Sequence, residues 1–159
     1  IPVKFLVTKD LGHSTLLTYL MGSVVFAILL YLGLDTVLHA YVIGLDMRSV
    51  SVTLFGDAEN FVEPVLIDSL LLQVHIDLFM TLFAIMILSS IYIRLFADKV
   101  MTKWVVHLLF ITGMLAPAAL LLAYFVSASF AAIWLISFVL WHLLACIVSL
   151  MVLKKLLFK

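Results

Sequence analysis

The chain has 159 residues, 67% of them hydrophobic and only 11% charged, with nine basic residues balanced by nine acidic ones. Its mean hydropathy is +1.35, which excludes an ordinary soluble domain and predicts an integral membrane protein in contact with the lipid bilayer. No basic aromatic surface for nucleic acid, phosphate-binding glycine loop or nucleophile elbow is present, so the common soluble chemistries are excluded as well.

A bilayer core of about 30 Å requires about 20 apolar residues per helix. Four windows meet that requirement and predict an all-α, four-helix transmembrane bundle: helices at about 14–42, 64–95, 103–126 and 130–154, with a loop at about 44–63, all within one membrane domain over 1–159. No short apolar run with a small-residue cleavage site precedes the first helix, so a cleaved signal peptide is not expected. Lys4, Lys9, Arg94, Lys99, Lys103, Lys154, Lys155 and Lys159, eight of the nine basic residues, fall on one side of this layout. Asp35, Asp46, Asp57, Glu59, Glu63, Asp68 and Asp77 fall toward the other, with Arg48 as their only basic company. The positive-inside rule then predicts cytoplasmic N and C termini and an acidic loop on the outer side.

In chain order, residues 1–12 form a short amphipathic lead-in, and Ser14 is an acceptable helix cap after His13. The first span, LLTYLMGSVVFAILLYLGL, carries Gly22, Ser23, Ala27 and Gly33 as small residues suited to close packing. Asp35 and His39 follow at a spacing of four and so share a face. In the loop, SVSVTLF from Ser49 alternates polar and apolar residues as a short strand would, and GDAEN from Gly56 has turn composition.

The stretch from Pro64 to Arg94 combines the second membrane span with Asp68, Gln73, His75 and Asp77 in its first half. Asp68 and His75, seven residues apart, lie on nearly the same helical face at about 10 Å from each other. Asp77 points to roughly the opposite face from His75. The third span starts near the interfacial Trp104, carries His107 about one turn inside, and has Pro117 at mid-membrane, where proline removes a backbone bond and kinks a helix. A connection of only Ser127, Ala128 and Ser129 predicts a tight hairpin with the fourth span, which holds Trp134, Trp141, His142 and Cys146. A thiol so deep in hydrocarbon resists ionisation, and Cys146 is read as structural.

The histidines carry the functional expectations. Counting about 1.5 Å per residue from the basic boundary puts His13 at about 0 Å, His107 at about 6 Å, His142 at about 18 Å, His75 at about 28 Å and His39 at about 37 Å. The first two spans, consecutive and antiparallel, are expected to be neighbours. Asp35, His39, Asp68 and His75 would then converge at their acidic end as ligands of a transition metal ion (zinc, copper, iron or manganese), with Glu63, Gln73 and Asp77 as further ligands or as acceptors that orient the imidazoles. This predicts a metal-binding membrane protein with a redox or transport role. The alternative cofactor is haem b in an electron-transfer subunit, held by His39 with His75 or by His13 with His107, and with His142 as a further membrane-embedded imidazole. A proton or cation path through His142, His107 and the outer acids, hinged at Pro117, is a third chemistry. A structural subunit without its own cofactor, partnered by other membrane subunits or by copies of itself, is the reading in which the polar rim only pairs charges.

Overall fold

A computed structural model describes residues 15–97 and 99–158. The expected lead-in at 1–12, His13, the Ser14 cap, and the charges of Lys4, Lys9, Asp10, Asp98 and Lys159 lie outside the described residues. The elements in order are α1 (Thr15–Val42), α2 (Met47–Phe55), α3 (Ile67–Leu95), α4 (Met101–Phe125) and α5 (Phe130–Leu157). The fold is all-helical; apart from one isolated bridge between Asp57 and Val62, the described residues contain no strand pairing.

Helices α1, α3, α4 and α5 are long and apolar enough to cross a bilayer. They are apolar on every side, and large side chains such as Phe26, Leu34, Phe79, Phe83 and Ile136 are exposed. Such surfaces are stable only with lipid as solvent. The end of the bundle bearing Arg94, Lys99, Lys103, Lys154 and Lys155 is called the basic end below, and the opposite end, with α2, the acidic end.

Three features differ from the sequence expectation. The segment expected to be a strand, Ser49 to Phe55, is most of helix α2. Asp46 caps it, its Oδ1 accepting from the backbone N–H of Arg48 and Ser49 at 3.0 Å each, and the Ser49 hydroxyl donates to its Oδ2. These bonds, the Ser49 hydroxyl foremost, hold the Asp46 carboxyl below its ordinary range. The alternation in SVSVTLF is compatible with a helix because Val50 and Leu54, four apart, are the two buried positions. Gly44 (φ +96°) and Gly56 (φ +79°) supply the left-handed turns that bound the helix, and a Cβ on Gly44 would lie 2.2 Å from that of Ser49.

Second, α1 and α3 are not close neighbours over their length. Helix α5 packs against every other helix, α4 lies between α5 and α3, and α1 rests chiefly on α5. Between α1 and α3 a groove of about 320 Å³ opens, lined by Val24, Ile28, Tyr31, Met80, Phe83 and Ile87 among others. Short connections do produce antiparallel neighbours, as Ser127 to Ser129 does for α4 and α5. The longer link through α2 leaves α1 free to dock elsewhere.

Third, the glycines of α1 mediate no close approach: a Cβ on Gly22 or Gly33 would meet nothing within 4 Å. That role falls to Gly113 on α4, where a Cβ would lie 2.8 Å from Thr81 Cγ2, 2.9 Å from Ile85 Cδ1 and 3.1 Å from Trp141 Cε3. With Ala116, Ala119 and Ala123 it forms the buried small-residue face on which α3 and α5 close.

The interior is layered. One apolar cluster fills the basic half, from Met21, Val25, Ile28 and Leu32 of α1 to Leu88 and Tyr92 of α3, Leu109 of α4 and Val148 and Val152 of α5. Another fills the acidic half, from Ile43, Val50 and Leu54 to Val74, Leu120, Trp134 and Phe138. Between them, on all four spans, lies a buried polar layer that includes Asp35, His39, Asp77, Thr81, Thr112 and His142.

Gly113→Ala is expected to overpack the three-helix junction and cost about 1–3 kcal/mol, whereas Gly33→Ala should stay within about 0.5 kcal/mol. Thermal unfolding of both variants in mild detergent checks this. Equal melting temperatures would show that α3, α4 and α5 do not close on Gly113.

Candidate metal centre

The imidazoles and carboxylates of the polar layer come from three of the helices, α1, α3 and α5. On α1, the spacing of four between Asp35 and His39 brings their side chains together: His39 Nδ1 donates to the Asp35 backbone carbonyl at 2.9 Å and lies 3.5 Å from Asp35 Oδ1. On α5, His142 Nδ1 donates to the Phe138 carbonyl at 2.9 Å. A carbonyl oxygen can only accept, so both imidazoles carry a proton on Nδ1 and turn Nε2 toward a carboxylate.

Each Nε2 meets a carboxylate from another helix. His39 Nε2 lies 3.0 Å from Asp77 Oδ2 of α3, and His142 Nε2 lies 3.0 Å from Asp35 Oδ2 of α1. The second Asp77 oxygen accepts from Gln73 Nε2 at 2.8 Å. The resulting chain, Gln73 to Asp77 to His39 to Asp35 to His142, ties α3 to α1 and α1 to α5. His39 is 2% exposed and both Asp77 and His142 are 8% exposed, so water contributes little to solvating these groups. The Phe138 ring stands between the imidazoles, its centroid 4.7 Å from that of His39 and 4.1 Å from that of His142.

Ligand atoms of Asp35, His39 and Asp77 all lie within 4.8 Å of one another, the one such grouping among the described residues. The cavity they line with His142, Thr81, Gly113, Pro117 and Trp141 is about 10 Å³, room for one water or one ion. Two further polar groups border it. The Trp141 indole N–H is buried without a partner, and Pro117, lacking an N–H, deprives the Gly113 carbonyl of its usual helical donor. The hydroxyls of Thr112 and Ser137 are committed to their own helices: Thr112 donates to the Leu108 carbonyl and Ser137 to that of Ile133.

Of the residues singled out in the sequence, Asp35 and His39 join this cluster, and His142 joins it from the haem set. Asp68 and His75 do not: both are exposed on α3, off its buried stripe. His107 is exposed on α4, and Glu63 is exposed before α3. His75 was the expected ligand, but it is Asp77 that lies on the buried stripe Leu70, Val74, Asp77, Thr81, Ala84 and Leu88, and the spacing of three and four residues along that stripe is the signal that could have found it. The depth count separated His39 from His142 by about 19 Å. They meet through Asp35 because the bundle ends are staggered: His142 lies 12 residues inside the first residue of α5, while His39 lies three before the end of α1, beneath the α2 cap.

Four apolar spans around a buried polar layer make this a multi-pass membrane protein. Residues 44–159 match the model of the Aq_1264_TM family, a transmembrane helical domain, and the chain belongs to that family. The match covers α2 to α5, hence Asp77 and His142, and begins after α1. No curated protein and no solved structure matches the chain.

Removing one partner of a buried charged contact leaves the other uncompensated. Asp77→Ala is therefore expected to cost about 2 kcal/mol, allowing for the weaker contacts measured in membranes, while Asp68→Ala should cost less than about 0.5 kcal/mol. Unfolding in mixed micelles reads both. Indistinguishable curves would mean that the Asp77 contact does not hold the bundle together.

Proposed function

We propose that this domain binds one transition metal ion within the membrane, between α1, α3 and α5, in a redox or transport role. Asp35, His39 and Asp77 are the ligands, and His142 is the fourth donor or the group that fixes Asp35. The observation that carries this reading is the pair of imidazoles whose Nδ1–H is committed to a backbone carbonyl while Nε2 faces a carboxylate at 3.0 Å. An imidazole nitrogen and a carboxylate oxygen at that distance share a cation, either a proton or a metal ion. Two buried carboxylates in a low-dielectric layer likewise require compensation, and a single divalent ion supplies it. Donation of the non-ligating ring N–H to a backbone carbonyl is also how metal-binding histidines are commonly oriented.

The mixed imidazole and carboxylate donors suit zinc, iron, copper or manganese. The haem pair of His39 with His75 is disfavoured by His75 being exposed on α3, off its buried stripe, and by a cavity of about 10 Å³ at His39 and His142. The unpartnered Trp141 N–H and the Gly113 carbonyl would serve a small exogenous ligand, such as a metal-bound water. We also infer that the basic end is cytoplasmic and the α2 end external, from the clustering of Arg94, Lys99, Lys103, Lys154 and Lys155.

Metal analysis of protein purified in mild detergent should give about one transition metal ion per chain, falling at least tenfold in His39→Ala and Asp77→Asn and unchanged in His75→Ala. Bound ion should also raise the melting temperature, by mass action on the folded state. Metal-free protein that gains no stability from any of the four ions would instead assign the cluster to shared protons and a structural role. For orientation, a cysteine at Glu59 should react with an impermeant maleimide on intact cells, and one at Lys99 only after lysis. The opposite pattern would reverse the topology.

A further inference from the structure

A second polar feature, separate from the candidate metal centre, lies on the lipid-facing side of α3 and α4 toward the basic end. There a groove of about 620 Å³ is lined by seven α3 residues between Ile85 and Ile93, Ser89 among them, and by Val106, His107 and Phe110 of α4. Its volume falls within the range of small-molecule sites.

Two of its polar groups are uncommitted. The Ser89 hydroxyl is buried, with the residue 8% exposed, and has no hydrogen-bond partner. This is unlike Ser90 beside it, whose hydroxyl donates to the Met86 carbonyl at 2.6 Å. His107 is exposed on α4 and makes no hydrogen bond among the described residues. It lies six residues into α4, about 9 Å from the helix start and one turn beyond Lys103. A hydroxyl and an imidazole left unpaired at that depth carry a desolvation cost that a bound acceptor would offset. Intramembrane polar residues facing a cavity are by default the marks of a ligand path or site.

The lining also defines what fits. No Asp, Glu, Lys or Arg lines the groove, so a phosphate or carboxylate headgroup would bring in a charge that nothing there compensates. A neutral carbonyl accepts from both the Ser89 hydroxyl and the His107 ring N–H without that cost. Phe110 and Met86 offer flat and polarizable surface for a ring, while Ile85, Ile87 and Ile93 suit an apolar tail. The groove is open to the bilayer, so the ligand arrives through lipid rather than water. We propose that the α3–α4 groove binds a neutral, membrane-dissolved carbonyl compound of the quinone class, its ring carbonyl between Ser89 and His107 and its tail along the isoleucines of α3.

Photolabelling tests this with the full chain in phosphatidylcholine nanodiscs, an azido-substituted short-chain ubiquinone as probe and unlabelled decylubiquinone as competitor. Label is expected on peptides covering 85–93 and 104–110, displaced by decylubiquinone. Ser89→Ala and His107→Leu should each weaken that displacement about tenfold, the loss of about one hydrogen bond. Neither side chain has a folding partner to lose, and an unchanged melting temperature confirms that each variant is folded. Gly33→Ala, on another helix face, should behave as the parent. Label spread evenly over the lipid-facing helices, displacement unaffected by both substitutions, or equal displacement by dioleoylglycerol would overturn the proposal. So would a crosslink between two copies through 85–93, which would make the groove a contact between chains. Because the readout is independent of any bound ion, a metal-free protein that gains no stability from the four ions yet still shows this displacement would sink the metal reading alone.

Discussion

The imidazole of His39 joins helices that otherwise barely touch. Its Nδ1 is anchored to its own helix and its Nε2 meets Asp77 across the α1–α3 gap, while Asp35 reaches His142 on the other flank. In water, α1 would be held by apolar area. In lipid that driving force disappears, because hydrocarbon solvates Leu34 or Phe26 as well as another helix does, and association depends on packing and polar contacts. The polar layer therefore positions α1, and its position in turn decides which groups converge: a turn of displacement along α5 would leave Asp35 without His142 and two carboxylates without compensation.

The same layer explains the division of the core. Apolar residues above and below it interlock by size and shape, with Gly113 allowing α3, α4 and α5 to meet at close range. The layer supplies direction, since a hydrogen-bonded imidazole and carboxylate have one productive orientation while aliphatic side chains have many. Buried polar groups can set register in this way at a cost in stability. Here the register they set is the vertical stagger of four helices whose ends are otherwise featureless.

Hydrophobic length alone made the four spans legible, because crossing the bilayer demands runs that no other constraint produces. Two of the residues named for the metal, Asp35 and His39, were legible from their spacing of four. Asp77 was weighed against His75 by face, but without the neighbouring helices there was no way to know which face is inward. The stripe from Leu70 to Leu88 contained the answer, masked by a helix that is apolar all round. His142 was assigned no carboxylate partner, because counting residues from the membrane edge assumes level helix ends and these are staggered. The strand expected after Ser49 failed for a local reason: alternation over seven residues is weak when an Asp stands where a helix cap belongs. None of the groove between α3 and α4 was visible in the sequence, since it arises from the separation of two helices rather than from any motif.

The family match begins at Gly44, in the turn that follows α1. That turn is also a seam through the chemistry, with Asp35 and His39 on one side and Asp77 and His142 on the other. A chain divided there would yield a lone span and a three-span remainder, each holding one carboxylate and one imidazole, with the 3.0 Å contacts of His39 with Asp77 and of His142 with Asp35 both running across the division. Their reunion in the bilayer would be driven by complementary halves of one polar centre. Helix α1 thus has the character of an insertable part, and closure of the polar layer marks the assembled bundle.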